Sequence, residues 1–124
     1  MITALKTTTI YIGDVDQAIE FYTKSLGFDL RSDQPMGEDA RWVEVAPPGG
    51  QAGIILAHGF GGWSPERVGT FTGIVFEAED IQATYEDLSS RGVHFTEPPT
   101  AQPWGMMQAL FEDADGNGYV LVSR

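Results

Sequence analysis

Reactive side chains are few in this chain of 124 residues, and their scarcity narrows its chemistry. There is no cysteine, which excludes thiolate nucleophiles, disulfides and zinc-thiolate sites. The two histidines lie in different halves: His58 ends an apolar run, and His94 starts another at the place equivalent to Asp29 in the first half. Each reads as a surface or hydrogen-bonded imidazole rather than as half of a metal pair. Glu44 is the carboxylate of most interest. It alternates with Val43 and Val45, so if the valines face a helix, Glu44 and Trp42 face the other side of the strand. A carboxylate half-buried beside an indole serves either as a general base or, ionised, as the partner of a cationic ligand; the plainer alternative is a solvated strand-edge residue. Glu77 raises the same question, with surface solvation as its plainer reading. Asp113 and Asp115 sit in a turn, where carboxylates hold backbone amides more often than calcium. No Ser-His-Asp order, phosphate-cradling loop or dinucleotide fingerprint is present, and Gly59-Phe60-Gly61-Gly62 lacks a following Lys-Ser or Lys-Thr.

The elements that must position these groups occur twice. IYIGDVDQAIEFYTKSLGF at 10–28 returns as VFEAEDIQATYEDLSSRGV at 75–93, and RWVEVAPPGGQAGIILA at 41–57 is echoed by MQALFEDADGNGYVLVS at 107–123. Two copies are too few for a solenoid, so the expectation is one compact domain whose halves share a cavity. In the first copy, Thr7 to Ile12 alternates as a strand, and Asp14 caps a helix that runs to Gly27. A short strand follows at Phe28–Arg31, then a turn-rich stretch from Ser32 to Ala40, then strands at Arg41–Val45 and Gly53–Ala57. The second copy predicts strand Gly73–Ala78, helix Ile81–Arg91 capped by Asp80, and strands Val93–Thr96, Met106–Phe111 and Gly118–Val122. Between the copies, HGFGGWSPERVGT at 58–70 reads as a mobile linker or lid with Phe60 and Trp63 at its tip.

Composition sets outer bounds. The chain is 42% hydrophobic and 20% charged, ordinary for a globular domain. Four basic residues face eight acidic ones in residues 1–65, and three face ten in residues 66–124, giving −4 and −7 and a net charge of −11. That field repels nucleic acid and anionic lipid and favours approach of cationic small molecules, although solubility alone explains it too. The opening MITALKTTTIYIG has no long apolar core and no run approaches a membrane span, so a cytoplasmic soluble protein is the default expectation.

Taken in order, the acidic helix starts, the residues Phe21, Tyr22, Leu26, Gly27 and Phe28, and the turn Asp113 to Asn117 before the last strand resemble the vicinal oxygen chelate superfamily. This group contains glyoxalase I, extradiol dioxygenases, and fosfomycin and bleomycin resistance proteins. The resemblance covers essentially the whole chain. It implies an α+β fold in which two tandem βαβββ modules form a U-shaped mixed-sheet cavity, with module 1 at 5–58, a linker at 59–70 and module 2 at 71–124. In metal-dependent members, the resemblance implies, each module's first strand supplies a ligand, usually His, and its last strand another, usually Glu. Here those places fall at Thr7, at Gly73, within Ile54–Leu56 and at Val120. A cation needs several oxygen or nitrogen donors converging on one point, and a hydroxyl, a glycine and hydrocarbon do not provide them. The inherited metal site therefore reads as absent, with no metal or other cofactor, and with it goes Lewis-acid stabilisation of developing negative charge.

What remains is a cavity with flat, soft walls. Its expected lining is Thr7, Thr9, Tyr11, Trp42, Glu44, Val75, Trp104, Met106, Gln108 and Val120, with Phe60 and Trp63 closing over the top, while Phe71 and Phe111 are assigned to the core. Aromatic walls with a few polar groups hold planar or amphipathic molecules by stacking and burial. Three readings follow. The first is a metal-free binding protein of the bleomycin-resistance type that sequesters a planar or amphipathic, partly aromatic compound, with the acidic charge favouring a cationic one. The second is a lyase, isomerase or dioxygenase using a relocated metal, or a metal-independent enzyme with Glu44 as base. The third is a structural or regulatory domain without a ligand. The resemblance also implies a homodimer.

Overall fold

A computed structural model describes residues 1–123; Arg124, the expected end of module 2, lies outside the described residues. The order is β1 (Thr7–Tyr11), α1 (Val15–Glu20), β2 (Asp29–Met36), β3 (Ala40–Ala46), β4 (Gly53–Ala57), β5 (Phe71–Ala78), α2 (Ile81–Ser90), β6 (His94–Ala101), β7 (Met107–Glu112) and β8 (Gly118–Ser123). A π-helical turn at Phe21–Ser25 extends α1, and a 3-10 turn covers Pro65–Arg67. The fold is α+β, with the βαβββ order made twice. Two compact units result, Met1–Val68 and the chain from Gly69 onward, and the division falls within the glycine-rich segment between the repeats. Among the described residues no helix is long and apolar enough to cross a membrane.

In the first unit the strands run β1-β4-β3-β2, with β1 parallel to β4 and the other pairs antiparallel. Cross-strand partners project to the same side of a sheet, so the register Thr8↔Ile54, Ile10↔Leu56 and Val45↔Ile54 defines one apolar face. Ile10, Ile54, Leu56, Val43 and Val45 on it are all buried, and full burial of such a side chain contributes about 1.5–3 kcal/mol. The helix α1 packs on β4 with Ala18 and Tyr22 buried. Its start is fixed by Asp14, whose side chain accepts a hydrogen bond from the Gln17 amide at 2.9 Å. Its end widens: the Leu26 amide reaches back to the Phe21 carbonyl at 3.1 Å before Gly27, at φ 76°, turns the chain out.

The expected turn-rich stretch at Ser32–Ala40 is a correction. Residues as far as Met36 continue β2, pairing Ser32↔Glu44, Asp33↔Val43 and Gln34↔Trp42, and only 37–39 turn. Ser, Asp, Gln and Pro carry no strand signal because β2 is an edge strand with mostly exposed side chains. Its stability comes from the backbone ladder, and Pro35 is tolerated because an edge strand can spare a donor. Arg41 ties this hairpin down, forking onto Asp33 at 2.8 and 3.1 Å and reaching Asp16 at the start of α1 at 2.8 Å. The second unit repeats the error: β6 runs past Thr96 to Ala101 through Pro98 and Pro99, again on an edge.

The second unit orders its strands β5-β8-β7-β6, with β5 parallel to β8. Its core is aromatic. Phe111 lies 5.4 Å from Tyr119, 5.5 Å from Phe95 and 6.1 Å from Phe76, and Tyr85 of α2 meets Phe95 edge-on at 4.8 Å. Asp113 closes the β7–β8 turn as expected, its carboxylate accepting from the amides of Asp115 and Asn117 and from the Asn117 side chain, each at 2.9 Å. Asn117 in turn accepts from the amides of Gly69 (2.8 Å) and Thr70 (3.2 Å). Phe111 is buried as expected, but Phe71 is not: it is 67% exposed. It sits at the start of β5, opposite Gly118 and ahead of a register shift, so its ring lies along bare backbone rather than in the aromatic core.

Candidate ligand-binding site

The register of the first unit places Thr7, Thr9 and Tyr11 of β1, Gly53, Ile55 and Ala57 of β4, and Glu44 and Trp42 of β3 on the side opposite the Ile10–Leu56 row. Five of the residues expected to line a cavity therefore share one sheet face. The segment after β4 folds onto the same face. Phe60 stacks on Trp42 with ring centroids 6.1 Å apart and planes 29° apart. The Tyr11 hydroxyl donates to the Gly61 carbonyl, and the Arg67 guanidinium lies 5.5 Å from the Tyr11 ring centroid, with an Nη1–Oη separation of 3.4 Å. Gly62, at φ 84°, passes so close that a Cβ there would meet Arg67 Nη1 at 3.0 Å. Trp63 is placed differently. Its indole donates to the Ile12 carbonyl at 3.0 Å, His58 Nδ1 approaches the same oxygen at 3.1 Å, and the two rings lie 4.3 Å apart. Phe60 thus belongs to the sheet face, and Trp63 with His58 clasps the end of β1.

Glu44 folds over Gly53, where any Cβ would collide with its carboxylate, and lies 3.8 Å from Arg31 of β2. Its side chain is 18% exposed. Arg31 also donates to the carbonyls of Gly50 and Gln51 in the β3–β4 turn. The carboxylate therefore already faces a cation of its own chain, a partner that the strand pattern around Glu44 did not reveal. Arg67 was equally hidden in the inter-repeat segment, because a lone arginine beside Pro65 and Glu66 carries no periodic signal.

In the second unit, Val75, Val120 and Leu110 are successive partners across β5, β8 and β7, and Glu77, Val122 and Gln108 form the next row on the same face. Val75, Val120 and Gln108 are thereby brought together. Trp104 and Met106 instead occupy the turn before β7, closed by the Gln102 amide to the Met106 carbonyl at 2.8 Å, and Trp104 is 64% exposed. At Gly73 the chain adopts φ 74° within a bulge held by Thr72, whose hydroxyl bonds the Gly118 carbonyl at 2.7 Å and the Ile74 amide at 3.0 Å. Any side chain there is strained, so this backbone does not favour a ligating residue at that place. The strand positions sharing a face with Ile55 and Val120 hold Gly53, Ala57, Gly118 and Val122, so a shift of two residues along β4 or β8 meets no donor either. Among the described residues no three His, Cys, Asp or Glu side chains gather as a metal site would require.

The profile of the Glyoxalase/Bleomycin resistance protein/Dioxygenase superfamily matches residues 4–121. The chain belongs to this superfamily. A member of the superfamily from Sphaerobacter thermophilus is 36% identical with a TM-score of 0.90, over 99% of this chain and 98% of that one. TnmS3, an antibiotic binding protein from Streptomyces sp. CB03234, is 32% identical with a TM-score of 0.84, over 98% and 96% of the two chains. A probable lactoylglutathione lyase from Synechocystis sp. is 30% identical over 93% of this chain and 91% of its own length. Superfamily relatives of comparable similarity therefore include both an antibiotic binding protein and a probable lyase.

Proposed function

We propose that this superfamily member is a metal-free small-molecule-binding protein of the bleomycin-resistance type, which sequesters a planar or amphipathic compound. The observation that carries the reading is the Trp42–Phe60 stack on a sheet face edged by Tyr11, with Trp42 still 37% exposed. Two near-parallel rings on the open face of a sheet offer a surface for a third flat molecule, and aromatic pairs contribute about 0.5–1.5 kcal/mol beyond burial. The likeness to an antibiotic binding protein supports the same reading. So does the donor-poor chemistry of Thr7, Gly73, Ile55 and Val120, and the net charge of −11 favours a cationic compound. Thr9, Val75, Gln108, Trp104, Met106 and Trp63 are further candidate contacts. The reading includes a cytoplasmic homodimer, which sedimentation and fractionation test.

Titration with antibiotics bearing fused aromatic rings, followed by tryptophan emission, is the direct test. Saturable quenching that weakens about tenfold in Trp42→Ala supports the proposal, and no saturable binding across the panel overturns it. Elemental analysis with calorimetry against Zn, Ni, Mn and Fe tests the metal-free part, and one tightly bound equivalent sinks it. The enzyme reading rests on half-buried Glu44 and on the lyase relative. A Glu44→Gln variant with full turnover of any substrate found removes Glu44 from catalysis.

A further inference from the structure

The second unit carries a cleft next to Val75 and Gln108, on the same sheet face, which deepens the small-molecule-binding reading but does not depend on the Trp42–Phe60 stack. It is a half-open cleft of about 190 Å³ whose lining includes Phe71, Leu110, Glu112, Thr96 and the glycines Gly69 and Gly118. Glu112, Gly118 and Phe71 are successive partners across β7, β8 and β5, so they form one row, with Leu110 two residues further along β7. Gly118 lets that row close: a Cβ there would stand 3.3 Å from Phe71 Cδ1, and without one the floor is bare backbone. Phe71 forms an apolar wall that remains 67% exposed.

Glu112 is half-buried and supplies the charge of the cleft, whose lining among the described residues includes no Lys or Arg. Among the described residues its carboxylate enters no ion pair or side-chain hydrogen bond; the ion pairs involve other acids, and the residue directly opposite it on β6 is the exposed His94. An unmatched carboxylate beside an uncovered aromatic ring presents two unmet demands within one small volume. A single ligand meets both if it joins a positive nitrogen to an apolar body, because the nitrogen pairs with Glu112 while the body covers Phe71 and Leu110. A cavity of about 150 Å³ holds benzene, so this one admits a single ring with a short chain.

We propose that the Phe71–Leu110–Glu112 cleft is a binding site for small organic ammonium ions with an aromatic or aliphatic body. The test is an amide NMR titration of the whole chain with phenethylammonium chloride, with 2-phenylethanol as the neutral counterpart. Saturable shifts at the amides of Thr96, Glu112 and Gly118 are expected, with Glu112→Gln and the alcohol each about tenfold weaker and Phe71→Ala also weaker. Glu86→Gln removes a charge on α2, outside the cleft, and leaves the affinity unchanged, which separates local pairing from the overall charge. Absence of saturable shifts at those amides, equal affinity for the alcohol, or an unaffected Glu112→Gln overturns the proposal.

Discussion

Two glycines, Gly53 and Gly73, are needed for different reasons. At Gly73 no atom of the described residues beyond its chain neighbours lies within 4 Å of a prospective Cβ, so the barrier to any side chain is the backbone angle of 74°. At Gly53 the barrier is the Glu44 carboxylate folded over it. Gly73→Ala should cost about 1–2 kcal/mol of strain that no second substitution relieves. Gly53→Ala should cost about 1–3 kcal/mol and be partly rescued by Glu44→Ala. Chemical denaturation of the three variants and the double variant checks both expectations. Asp113 is a third case. Buried and accepting hydrogen bonds from the amides of Asp115 and Asn117 and from the Asn117 side chain, it holds the β7–β8 turn, and Asp113→Ala should destabilise by about 3 kcal/mol because those amides lose their acceptor. The motif around Asp113 made this role legible in the sequence. The Glu44–Arg31 contact was not legible, since it depends on which residues of β2 lie opposite β3.

Elements with a buried face declared themselves in the sequence, and elements without one did not. The strands β1, β4 and β8 each bury apolar residues, Ile10 in β1, all of β4, and Tyr119 and Leu121 in β8, and both helices start at an aspartate cap, so their places were read to within about two residues. The outer halves of β2 and β6 bury little, and their sequences mimic turns. Phe71 misleads for the opposite reason: an aromatic residue suggests core, but β5 turns Phe76 and Ala78 inward and leaves Phe71, like Val75, on its exposed side. The Arg41 fork gives the β2–β3 hairpin a pH signature. Its hydrogen bonds to Asp33 hold that carboxyl below its ordinary value of 3.8. Stabilisation from a depressed carboxylate is complete above the unfolded value and is lost as pH falls through the lower folded one. Wild type should therefore exceed Arg41→Ala in stability at neutral pH, and the gap should close as pH drops below about 4. Thermal melts of both proteins across pH 2–7 give the comparison, and a gap that widens on acidification contradicts the assignment.

At the scale of the molecule, charge and edges matter more than any one contact. With −7 of the −11 charges in residues 66–124, the second unit should attract cations more strongly than the first. Raising ionic strength from about 0.01 to 0.15 M should slow association of a cationic probe severalfold and leave a neutral probe unchanged, measurable by stopped-flow. Membership of the superfamily was legible because repeat order and turn motifs survive in the sequence. The choice between binding and catalysis was less so, because it turns on side chains that meet only across strands, such as Phe60 on Trp42. Both sheets also end in proline-bearing strands, Pro35 in β2 and Pro98 with Pro99 in β6. An imide nitrogen cannot template an incoming strand, so these rims resist runaway stacking, and concentrated stocks should age without fibril growth from either one.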